Sequence, residues 1–190
     1  MHFYYKYELP AIVNESGNKR ILVFGDSFAQ LTRMPKHIRP DSWISHLAQH
    51  LDAQIHSYGI SGAAESTILY TYLETYSEER DFTIIFHTHP ERSDVYFEQP
   101  DLTDRAYKKW DKILEKHPCL HLYWADAQHY KFTNGQTLSC DYWTNLHGTY
   151  ENGEVSTDKY LQTGIRRHHM TLEDNKHFTT DVYNKIKGEF

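Results

Sequence analysis

The stretch KRILVFGDSFAQL, Lys19 to Leu31, decides how this chain is read. A basic pair leads into the apolar run Ile21-Leu22-Val23-Phe24, and Gly25-Asp26-Ser27 then ends it abruptly. Such a run, closed by a turn triplet, suits a short central parallel strand buried on both faces. A tight turn at its end exposes a hydroxyl and leaves backbone N–H groups unpaired at the next helix start, ready to hold an oxyanion. Gly-Asp-Ser is also an ordinary turn sequence. The rest of the chain decides whether Ser27 is a turn residue or a nucleophile.

Working outward, strands and helices alternate. PDSWISHLAQHL carries Asp41 or Ser42 as a helix cap, with Trp43, Leu47 and Leu51 at helical spacing. AQIHSYG reads as a second strand, and SGAAESTILYTYLETY as a second helix with Ile68, Tyr72 and Leu73 inward. FTIIFH is a third strand, LTDRAYKKWDKILEKH a third helix ended by Pro118, and CLHLYW a fourth strand. This alternation predicts right-handed crossovers on a parallel sheet, hence a three-layer α/β/α domain. Residues 1–18, closing in the turn-rich NESGN, read as an N-terminal extension: an edge strand, or a contact for a protein partner or a second copy. Residues 19–190 read as one domain, in which 126–165 is a long polar, aromatic loop or insertion.

The 190 residues suffice for one domain with a sizeable core. Hydrophobic residues at 39% and charged residues at 24% describe a globular chain. A formal net charge of -6, with no basic stripe, argues against nucleic acid as a partner. The apolar runs fall far short of a membrane span, and the first ten residues lack the pattern of a secretory leader. Cys119, inside a strand-like run, reads as an inert core thiol, which fits a reducing, cytoplasmic compartment. The 14 histidines raise the question of metal. His87 and His89 would share a strand face and His168 and His169 would point apart, so neither pair has zinc-like company.

At this point the chain resembles a family. VFGDSFA resembles the first block of the SGNH (GDSL) hydrolases, whose nucleophile is that block's serine, here Ser27. SYGISGAAEST resembles the second block, whose glycine supplies an oxyanion N–H; Gly62 takes that place, with Gly59 as the alternative. Where the main pattern has Gly-x-Asn-Asp, this chain reads IIFHTHPERSD, similar to a Thr-x-Pro-x-Arg variant of phage-encoded and related bacterial members. That match sets His89 near the usual asparagine and offers Arg92 as an anion or substrate contact. With Asp26 and Gly62 they form the oxyanion or substrate side. The last block normally reads Asp-x-x-His before a final helix. DNKH offers Asp174 and His177, and RRHHMT offers His169. Thr171 to Asp174 forms a capping box, and Phe178, Val182, Tyr183 and Ile186 follow at helical spacing. Asp174 and His177 then fall inside a helix, and His169 in the loop before it, where the family keeps its base.

The resemblance implies the SGNH fold, with a parallel, flavodoxin-like sheet, and a serine esterase or carbohydrate deacetylase acting on a small acyl ester or acetylated sugar. No metal or organic cofactor is implied. Arg166 stands where the family's triad aspartate would be, so a Ser27–His169 dyad or an atypical triad is expected. The alternative is a catalytically impaired binding or structural protein on the same fold, phage-encoded and virion-associated.

Overall fold

In the computed structural model, residues 10–32, 39–75, 81–88, 102–124, 130–140 and 172–189 are described. Their elements in chain order are β1 (Ala11–Val13), β2 (Lys19–Gly25), α1 (Trp43–Leu51), β3 (Ala53–Gly59), α2 (Glu65–Thr75), β4 (Phe82–Phe86), α3 (Leu102–Ile113), β5 (Cys119–Trp124), β6 (Gln136–Cys140) and α4 (Leu172–Ile186). The sheet order is β1-β3-β2-β4-β5-β6. β1 runs antiparallel to β3 at one edge, and the other neighbours are parallel. Set β1 aside, and the parallel strands follow the flavodoxin-like order, which reverses direction at β2.

Each face of the sheet has its own core, because successive side chains of a strand point to opposite sides. Ile21 and Val23 of β2 pack toward α1 and α4, together with Trp43, Leu47, Phe178, Val182 and Ile186. Leu22 and Phe24 pack toward α2 and α3, with Ile68, Tyr72, Tyr107 and Trp110. The result is the three-layer α/β/α domain that the alternation predicted.

Local sequence explains the helix limits. Ser42, rather than Asp41, caps α1: its side chain accepts from the Ser45 N–H at 3.2 Å. Asp52 ends α1 in the left-handed region at φ 48°. α4 buries Phe178, Val182 and Ile186 on one stripe, and His177 lies inside it as expected, solvent-exposed and 3.8 Å from Glu173. Among the described residues no helix is long and apolar enough to cross a membrane.

Within the segment 126–165, residues 136–140 form β6, which pairs in parallel with β5. Thr133 and Asn134 donate their backbone N–H groups to Asp111 of α3 at 2.9 and 3.2 Å, and the Asn134-Gly135 turn then delivers the strand. β6 lies at the sheet edge, with Gln136, Thr137 and Leu138 half-buried and Ser139 exposed, and it lacks the apolar run that marked the inner strands.

Candidate active site

The carboxyl ends of β2, β3 and β4 lie level, since Gly25 stands opposite both Gly59 and Phe86. β2 is where the strand order reverses, the place where open α/β sheets bind ligands. Gly25-Asp26-Ser27 leaves the sheet at that point.

The turn is held from several directions. Asp26 is fully buried, and its Oδ1 accepts the Phe28 N–H at 3.0 Å. The Asp26 carbonyl accepts from Ala29 N–H at 3.1 Å. These bonds fold the chain back sharply, leaving Ser27 half-exposed. Gly59 lies directly beneath: a Cβ there would sit 2.1 Å from the Ala29 carbonyl carbon, so only glycine lets this turn settle onto the end of β3. The Ser57 hydroxyl donates to the Ala29 carbonyl from the same strand. On the far side the Trp43 indole N–H donates to the Phe28 carbonyl at 2.9 Å.

Trp43 also receives the final helix. Its backbone N–H donates to Asn175 Oδ1 at 3.0 Å, and the Thr179 hydroxyl donates to its carbonyl at 3.2 Å. The first turns of α4 are thereby joined to the Ser27 turn through one residue. Gly62 lies in the loop between β3 and α2 at φ 76°, and among the described residues nothing stands within 4 Å of where its side chain would be. Of the two glycines proposed for the oxyanion hole, Gly59 is packed under the turn. His89, Arg92 and His169 lie outside the described residues, as do Arg166, His168 and the Asp174 side chain.

The end of β4 holds a polar chain that sequence reasoning missed. Glu65, the first residue of α2, is buried, and three donors converge on its carboxylate. Trp110 Nε1 and His87 Nδ1 meet Oε1, each at 2.8 Å, and the Thr88 backbone N–H meets Oε2 at 3.3 Å. The Thr88 hydroxyl donates to Asp26 Oδ2 at 3.3 Å. His87 Nε2 meets His121 Nδ1 at 2.8 Å, and His121 Nε2 faces Cys119 Sγ at 3.6 Å. Burial, with the facing His87 adding to it, pushes His121 down to about 2, so its imidazole is neutral. Burial likewise pushes the Cys119 thiol up to about 12, and this free cysteine is an inert core thiol as expected.

The signal for Glu65 was present: it precedes Ile68, Leu69 and Tyr72 by three, four and seven residues, on the buried stripe of α2. A carboxylate on such a stripe demands donors from neighbouring elements.

No family model matches the chain, and no curated protein matches it by sequence. Solved structures do. A protein of the G-D-S-L lipolytic family from Desulfitobacterium hafniense is similar over 88% of this chain and 99% of its own, at 14% identity and TM-score 0.59. Axe2, an acetylxylan esterase from Geobacillus stearothermophilus, is similar over 90% and 94%, at 13% identity and TM-score 0.55. A G-D-S-L lipolytic family member from Veillonella parvula is similar over 88% and 98%, at 12% identity and TM-score 0.52. The fold is therefore that of the SGNH (GDSL) hydrolases, as the four sequence blocks implied.

Proposed function

We propose that the protein is a serine esterase of the SGNH type that removes a small acyl group, such as acetate from a sugar. Ser27 Oγ attacks the ester carbonyl while His169 takes its proton. The Ser27 and Gly62 N–H groups hold the oxyanion of the tetrahedral intermediate. Collapse expels the alcohol, which takes the proton back from His169. Water, deprotonated by the same imidazole, then adds to the acyl carbon; the bond to Ser27 Oγ breaks, Ser27 Oγ takes the proton back from His169, and the carboxylic acid leaves. With Arg166 at the aspartate's usual place, the pair works as a dyad or borrows an orienting group from the 141–165 segment.

One observation carries this reading. The Ser27 turn sits at the strand-order reversal and is pinned by Trp43, which also binds the first turns of α4. His169 precedes Leu172, the first residue of α4, by three positions in the sequence, which supports reading it as the base. The resemblance to a sugar deacetylase and to G-D-S-L lipolytic proteins supports the substrate class.

The test is covalent labelling with a fluorophosphonate, located by mass spectrometry, in wild type, Ser27→Ala and His169→Ala. Labelling at Ser27 that disappears in both variants is the expected result. Folded wild-type protein that takes no label, and does not hydrolyse p-nitrophenyl acetate, overturns the reading.

A further inference from the structure

Three segments must keep their mutual position for an oxyanion to be held beside Ser27: the turn after β2, the loop carrying Gly62, and the chain leaving β4. Backbone bonds within the sheet end just short of all three. Beyond that level, the Ile60 N–H donates to the Gly25 carbonyl at 3.0 Å, tying the first two. Among the described residues the third is held to these two through carboxylates: Glu65, three residues past Gly62, accepts the Thr88 backbone N–H, and the Thr88 hydroxyl donates to Asp26, one residue before Ser27.

We propose that Glu65 and Thr88 are positioning residues for ester hydrolysis, bracing the Gly62 loop and the end of β4 against the Ser27 turn through Asp26. The proposal rests on the esterase reading. Glu65 suits the task because its charge stands at the N-terminus of α2, where the helix dipole favours it. Trp110 and His87 saturate one oxygen and leave the other for Thr88. Behind them, His121 Nδ1 meets His87 Nε2 at 2.8 Å and holds the ring with its Nδ1 toward Glu65. Asp26 is divided in the same manner, one oxygen on Phe28 N–H and the other on Thr88. Each carboxylate bridges two elements, so a shift at either reaches both sides of the Ser27 turn.

Thr88→Val is the decisive variant, because valine keeps the shape and the backbone N–H but loses the hydroxyl. The rate of fluorophosphonate labelling and kcat for p-nitrophenyl acetate should fall by about 10- to 100-fold, the scale of a displacement of an ångström or less, with KM little changed. Thr88→Ser should restore both. Glu65→Gln should act in the same direction, since an amide cannot accept on both sides; if it fails to fold, Thr88→Val still carries the test. Amide hydrogen exchange at Phe28 reads the brace without any activity, and should speed up in Thr88→Val and recover in Thr88→Ser. Valine and serine variants that match wild type in labelling and exchange, or that are equally slowed, overturn the proposal and leave the esterase standing. Faster Phe28 exchange that serine reverses, in a wild type that takes no label, keeps the brace and removes the esterase.

Discussion

The two faces of the sheet solve the same problem with opposite chemistry. Toward α1 and α4, the core is built almost wholly from Ile, Leu, Val, Ala and the Trp43–Phe178 pair, whose rings meet edge to face at 5.1 Å. Toward α2 and α3, the core holds Tyr58, Tyr72, Tyr107 and Tyr123, and it surrounds Glu65, His87 and His121. Phe132 stacks on the His121 ring at 3.8 Å, so the polar chain is covered by an aromatic lid rather than by water. The first face is held mainly by area and shape, with Ser57, Asn175 and Thr179 bonding to backbone beside it. The second depends on matched donors and acceptors, which makes it specific in arrangement and sensitive to the loss of any one member.

Breaking the dry face should cost most. Phe178→Ala removes a fully buried ring that touches Trp43 and Phe86, and should lower unfolding free energy by about 3–5 kcal/mol in urea denaturation followed by circular dichroism. A loss below that range would mean the α1–α4 interface collapses onto the gap. On the polar face, Trp110→Phe keeps most of the packing but withdraws a donor from Glu65 Oε1, and should cost roughly 1–3 kcal/mol by the same measurement. If that loss proves negligible, His87 and Thr88 alone suffice to hold the carboxylate.

The third difference is in pH response. The native His121 cannot take a proton until about pH 2, whereas in the unfolded chain it does so near its ordinary value of 6.5. Below pH 6.5 the unfolded state therefore binds the extra proton, and stability falls toward acid by about 1.4 kcal/mol per pH unit. Above that pH the contribution is complete and flat. His46, also pushed down by burial, adds in the same direction. His121→Leu should lower the neutral plateau, because His87 Nε2 loses its hydrogen-bond partner, yet flatten the acid limb. An unchanged limb would assign the acid sensitivity to other groups.

Legibility followed burial. β2, β4 and β5 were readable because inner parallel strands bury both faces and show as largely apolar runs, while β3, AQIHSYG, showed as an alternating strand. Thr171, the cap expected for α4, lies outside the described residues; α1 announced itself through its Ser42 cap, and both α1 and α4 through a single apolar stripe. β6 did not, since an edge strand needs no such run, and the Asn134-Gly135 turn before it was the only local sign. Of the site, Asp26, Ser27, Gly59 and Gly62 were legible as turn residues inside a recognisable block. Glu65 was read as one more helix residue, and His87 only as a discounted metal ligand.

Local chemistry along the chain was enough to determine the order of strands and helices, the stripes they bury and the sharp turn that carries Ser27, because periodicity, capping and turn preference act within a few residues. Which polar groups meet was decided only in the folded molecule. Glu65, His87, Trp110 and His121 come from four separate elements. Their charges and protons become compatible only when the sheet brings those elements within hydrogen-bond distance and removes the water that would otherwise satisfy each of them separately.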